Sequence, residues 1–249
     1  MRYMLLFLTM ALFLSSPRSV AAAVDHSLWS ALLARYVDND GRVAYRDLQE
    51  RDKATFEEYL SALAHARTEN MNEAEEKAFW INAYNAVIVS GVLQGYTAES
   101  ILGRKRLFSW FTATVVGQAR TPDEIEHQIL RKKFHDPRIH FTIVCASSSC
   151  PKLRREAYVA AQLDAQLDEA TRVFLNDPVR NHIEPHQVRL SKIFEWFAED
   201  FRNNAGSVTA FVRRFVGEEN QAMVDLTDST LRYLDYNWTL NTQNGQRVP

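Results

Sequence analysis

Apolar residues recur at helical spacing along much of the chain. Leu28, Trp29, Leu32, Leu33 and Tyr36 stand three or four residues apart, so His26 to Tyr36 is expected to form an amphipathic first helix. Asp40-Gly41 lies between short β-branched and aromatic runs and predicts a tight turn. Glu73 to Leu93 is the longest helical pattern. Phe79, Trp80, Ala83, Tyr84, Val87, Ile88 and Val92 make one face, while Ile81, Ala86, Val89 and Leu93 fill most of the other. A helix that is apolar nearly all round is buried. Asn82 and Asn85, about 60° apart on its wheel, are therefore expected to face protein and to be hydrogen-bonded.

Thr121-Pro122-Asp123-Glu124 is a capping box with proline at the first helical position, opening a helix to about Phe134. Ile125, Ile129, Leu130 and Phe134 define its apolar arc, and Glu126 falls inside that arc, where packing alone has no use for an acid. Arg138 to Ala146 alternates with period two and predicts a strand, with Ile139, Phe141, Ile143 and Cys145 on one face and His140, Thr142 and Val144 on the other. After Ser147-Ser148-Ser149, Cys150-Pro151 reads as an N-cap and first position of a following turn. Further helices are expected over Tyr158 to Asn176, over Ser191 to Arg202 and from near Ser207, with an extended aromatic tail over Tyr233 to Trp238. Helices dominate over a small sheet, so the expected class is α+β, a helix-rich single domain around a small β-sheet.

Several segments resemble the family called domain of unknown function 547. They are Phe79-Trp80-Ile81-Asn82-Ala83-Tyr84-Asn85-Ala86, Asp136-Pro137-Arg138-Ile139-His140-Phe141, Ser149-Cys150-Pro151, Leu190-Ser191-Lys192-Ile193-Phe194 and Tyr236-Asn237-Trp238-Thr239-Leu240-Asn241. The likeness covers roughly Met71 to Asn241 and brings no agreed activity. His140-Phe141-Thr142-Ile143-Val144 is also similar to the His strand of papain-like and transglutaminase-like thiol enzymes, and Phe79 to Val92 to their buried helix. Here that helix offers Asn82, Tyr84 and Asn85 but no cysteine.

The first residues change the picture of where the domain works. Arg2, the apolar run Tyr3 to Leu14, the break at Ser15-Ser16-Pro17 and the small Ala21-Ala22-Ala23 form a secretory leader over residues 1–23, with the domain following over residues 24–249. An exported protein, periplasmic or secreted, is the expectation. The apolar run is too short to span roughly 30 Å of hydrocarbon, so no stable membrane anchor is expected after the leader is removed. The chain has 29 basic and 31 acidic residues, and loss of Arg2 and Arg18 with the leader leaves a balance of −4. A mildly acidic domain gives no reason to expect nucleic acid as a partner, and nothing else names one.

Candidate chemistry centres on Cys150, whose thiol at a turn or helix start would see backbone N–H groups that favour thiolate. His140 could serve as its base, and Glu126 could orient that histidine or act as an acid. Alternatively Cys150 forms a disulfide with Cys145, the only other cysteine, or is a quiet packed thiol, and Glu126 pairs with Arg131 or Arg138. Asn82, Asn85, Tyr84, Trp80 and Arg138 are candidate binding residues; the two asparagines could also stabilise an oxyanion. No cofactor is implied. No metal centre is expected either, because Pro185 opposes the helix that would align His182 with His186. Three functions are weighed: a non-catalytic ligand- or protein-binding domain, a thiol-dependent hydrolase or acyl/amide transferase, and a redox or metal-handling role for the two cysteines, against which their spacing, longer than Cys-x-x-Cys, counts.

Overall fold

The computed structural model describes residues 24–184, 187–217 and 231–245. The leader read over residues 1–23 lies outside them, as do Pro185 and His186. Helices come first. The chain forms α1 (Ser27–Tyr36), α2 (Tyr45–Arg51), α3 (Lys53–His65) and the long α4 (Glu73–Leu93). Between α1 and α2, Gly41 at φ +76° turns the chain, and Val37 pairs with Val43 across that turn. A β-carbon on Gly41 would meet Lys152 Cα at 2.7 Å, so glycine is needed there for closeness as well as for conformation.

The bounds of α4 are those its pattern predicts. Asn72 caps it reciprocally with Glu75: Glu75 N–H donates to Asn72 Oδ1 at 3.0 Å and Asn72 N–H to Glu75 Oε2 at 2.8 Å. Every residue from Glu76 to Leu93 is buried, as an all-round apolar helix must be. It is the axis on which the other elements pack.

Next come α5 (Ile101–Lys105), which runs into a π-helical turn Arg106–Trp110, and the hairpin β1 (Ala113–Val115) with β2 (Gln118–Arg120). The capping box then opens a helix as expected, with Thr121 N–H donating to Glu124 Oε2 and Glu124 N–H to Thr121 Oγ1. Its middle, Glu124–Leu130, is wound as a π-helix before the α-helical α6 (Arg131–Phe134), and His135 ends it in the left-handed region at φ +49°.

The expected strand over Arg138 to Ala146 does not form. Asp136 accepts from Arg138 N–H, Pro137 sets the first position, and Pro137–Phe141 winds as a 3-10 helix followed by irregular chain. The alternation does not become the two faces of a sheet, because Ile139 to Val144 is buried throughout and its apolar side chains are shared between two cores. Ile139, Ile143 and Val144 join the large apolar cluster around α1–α4, whereas Phe141 joins a second cluster with Phe174, Phe194, Phe201 and Phe211. Nor does a helix follow Cys150; Pro151 to Arg154 is extended, irregular chain.

The last third builds the second core from α7 (Leu163–Leu175), β3 (His182–Glu184), β4 (Gln187–Leu190), α8 (Ile193–Trp196), α9 (Ala198–Ala205), α10 (Val208–Arg213) and β5 (Arg232–Tyr233). The single helix expected over Ser191 to Arg202 is broken at Phe197 into α8 and α9. Strand β4 pairs antiparallel with β3 and parallel with β5. Among the described residues the architecture is helix-rich α+β with two small sheets.

Candidate active site

Helix α4 positions the segment that carries the candidate chemistry. Asn85 Nδ2 donates to Thr142 O at 2.9 Å while its Oδ1 accepts from Val144 N–H at 3.0 Å. Asn82 holds the chain further on in the same way, donating to Tyr158 O at 2.8 Å and accepting from Tyr158 N–H at 2.9 Å. A primary amide presents the same donor and acceptor as a peptide group, so each asparagine replaces a missing neighbouring strand. Both amides are thereby occupied on donor and acceptor sides, and neither lines the cleft described next.

That cleft, about 140 Å³, is lined by Tyr84, Glu126, His140, Cys145, Cys150 and Tyr236, with Trp196, Phe197 and Trp238 among its aromatic walls. It lies between the two apolar clusters. Of the residues singled out from the sequence, Cys150, His140, Glu126 and Tyr84 meet here. Trp80 and Arg138 do not: Trp80 donates to Glu76 at 3.3 Å, and Arg138 is held by Asp136, Asp164 and Asp168.

Both cysteines are free thiols, and their sulfurs lie 2.7 Å apart, with the Cys150 thiol donating to Cys145 Sγ. Ser147 Oγ at 3.0 Å and Tyr236 Oη at 3.2 Å also contact Cys145 Sγ. Burial by itself pushes the Cys145 thiol up, but these three contacts outweigh it and its pKa is lowered. Cys150 moves the other way. Burial raises it, and the neighbouring Cys145 raises it further, because two adjacent sulfurs cannot both carry charge. The contacts therefore favour charge on Cys145 over Cys150. No helix follows Cys150, and the backbone N–H on its sulfur comes from Cys145, at 2.6 Å, rather than from a helix start.

The loop holding these sulfurs is pinned from the chain's far end. Ser148 N–H donates to Thr239 O at 2.8 Å, Asn237 N–H to Ser149 Oγ at 2.9 Å and Asn241 N–H to Ala146 O at 3.1 Å. Ala146 sits at φ +57°, a left-handed conformation that costs an alanine about 1–2 kcal/mol and is retained beside the two thiols.

His140 is buried and stacked on Phe197, ring centroids 3.9 Å apart. Its Nε2 is 2.8 Å from Asp200 Oδ2, and its Nδ1 is 3.9 Å from Glu126 Oε1. Burial lowers the His140 pKa, opposed by Asp200, so the ring favours the neutral form. Arg131 clamps Asp200 with two bonds of 2.7 and 3.0 Å. Glu126 is left without an arginine bond: Arg131 goes to Asp200 and Arg138 elsewhere. Burial pushes the Glu126 carboxyl up to about 8, with Tyr84 Oη donating to it at 3.4 Å. A buried carboxyl pushed up to about 8 thus shares one cleft with a thiol pushed below the usual thiol range.

Asp200 and Tyr236 were not foreseen from the sequence. Asp200 carries a readable sign, an acid between Phe197 and Phe201 on what reads as one helix. Tyr236 stood in the aromatic tail with nothing to mark its hydroxyl. His140 rests on a 3-10 turn, which removes the His strand behind the papain-like and transglutaminase-like likeness. Among the described residues, no group of three His, Cys, Asp or Glu side chains is placed to hold a metal ion.

No curated protein and no solved structure matches the chain. Residues 68–175 match the family model described as a protein of unknown function, DUF547, so the resemblance to that family holds over the segment carrying α4, Glu126, His140, Cys145 and Cys150.

Proposed function

We propose that this domain is an exported thiol-dependent acyl-transfer enzyme, a hydrolase or an acyl/amide transferase, with Cys145 as nucleophile. One observation carries the reading: Cys145 Sγ receives three polar contacts in the cleft that also holds the raised acid Glu126. In the first step the Cys145 thiolate attacks the carbonyl carbon of an ester, thioester or amide. A carbon–sulfur bond forms, the bond to the leaving group breaks, and the Glu126 carboxyl supplies the leaving group's proton. In the second step Glu126, now a carboxylate, takes a proton from water or an amine. That acceptor cleaves the thioester and restores the thiolate. His140, fixed by Asp200 and Phe197, is the positioning residue beside Glu126. Cys150 and Tyr236 hold charge on Cys145 sulfur without reacting themselves.

Acylation with p-nitrophenyl acetate, followed by intact mass, tests this. The expected result is one acetyl group per chain, absent in Cys145→Ser and retained in Cys150→Ser. Iodoacetamide should alkylate Cys145 at pH values well below 8.5, the usual thiol range. A chain that gains no acetyl group, or gains it equally after Cys145→Ser, overturns the enzyme reading. The aromatic-walled cleft then serves binding alone.

A further inference from the structure

The segment after α4 turns its apolar side outward. Over Ile101–Trp110 the exposed positions are Ile101, Leu102, Lys105, Arg106, Ser109 and Trp110, one helical face at spacings of one, four, five, eight and nine residues. Ile101 is 79% exposed, Leu102 49% and Trp110 56%. The opposite side anchors the segment: Leu107 is fully buried against Gly91 of α4, where a β-carbon would stand 2.6 Å from Leu107 Cδ1. The exposure of these large side chains is therefore built into a fixed element.

Charge supplies the second observation. The whole chain is net negative at −2, yet Arg104, Lys105 and Arg106 are consecutive on this element. Among the described residues, none of the three forms an ion pair with an acid. Lys105 lies over the Trp110 ring at 5.3 Å and Arg104 over the Trp238 ring at 4.5 Å. Trp238 in turn stacks with Trp196, which is 47% exposed. The acids nearest in sequence or contact are Glu99, just before the element, and Asp123, which accepts from Ser109.

We propose that this face seats on an anionic lipid surface, with Ile101, Leu102 and Trp110 entering the headgroup boundary and Lys105 and Arg106 meeting lipid phosphates. Tryptophan and aliphatic side chains interleaved with unpaired cations suit the interface between headgroups and acyl chains. A second copy of the chain is disfavoured, because a two-fold contact through this face would set lysine and arginine against their own equivalents. The attachment is peripheral, since among the described residues no helix is long and apolar enough to cross a membrane. It does not depend on the thiol chemistry.

Co-sedimentation with vesicles tests it, using protein as recovered from the expressing cell. Vesicles of phosphatidylcholine with phosphatidylglycerol should carry the protein down, and phosphatidylcholine alone should carry much less. Lys105→Glu with Arg106→Glu, and separately Ile101→Ser with Trp110→Ser, should each lower the partition coefficient about tenfold or more. All four positions are exposed, so melting should not move, and acylation of Cys145 should be unchanged. Equal sedimentation with both vesicle types, no sedimentation, or sedimentation unaffected by both variants overturns the proposal. A concentration-dependent dimer lost with Trp110→Ser, without vesicle binding, assigns the face to a second copy and also overturns it.

Discussion

Glu126 is the residue whose environment has the most measurable consequence. Its folded-state pKa, raised to about 8, means that the folded protein holds a proton which the unfolded chain gives up near 4.5. Between those values the folded state binds more protons, so this residue's contribution to stability is largest below 4.5 and is lost as pH rises towards 8. His140 and Asp200 act in the opposite sense at lower pH, since both favour their unprotonated forms in the fold and lose stability as acid is added. Glu126→Gln isolates the first effect. Measured by urea melts, its stability relative to wild type should improve steadily from pH 5 to pH 8. A difference independent of pH would show that the carboxyl is ionised in the fold. The anomaly of Glu126 was legible from its place in an apolar arc. The different surroundings of the two sulfurs were not, because Tyr236, which contacts Cys145, lies 91 residues beyond it.

At the scale of elements, the clearest success and the clearest failure of sequence reading stand side by side. Helix α4 was read with its observed bounds, and its asparagines were read as buried and bonded, because an all-round apolar helix leaves few alternatives. The segment after Asp136 was misread as a strand. Ile139 to Val144 is buried throughout, and its apolar side chains go to two cores without following the alternation, which nothing local reveals. Asn85 is what makes the irregular path affordable, bonding the backbone at Thr142 and Val144 that a strand neighbour would otherwise have satisfied. Asn85→Leu leaves that carbonyl and N–H buried without partners and should cost about 2–4 kcal/mol in urea melts. A cost near zero would mean that the segment finds other partners, and that α4 does not hold the site's shape.

Over the whole molecule, the cleft lies at the seam of two apolar clusters, and the chain between Ile139 and Cys150 is where they meet. Helix-rich α+β character was legible from periodicity; the seam was not, because the second cluster gathers aromatic residues scattered from Phe141 to Phe215. The export reading also belongs at this scale. Expressed with its leader, the protein should be recovered outside the cytoplasm, with an N-terminus at Val24 or within a residue or two by N-terminal sequencing. Recovery of a cytoplasmic chain beginning at Met1 would overturn it. The paired asparagines of α4 carry a last consequence, for transplantation. A stretch of irregular chain that borrows its hydrogen bonds from one helix, and is fastened by the backbone of a tail some ninety residues later, has no autonomous shape. Moving the two thiols into another scaffold would transfer their chemistry only if Asn82, Asn85 and the closing strap from Asn237 to Asn241 travelled with them.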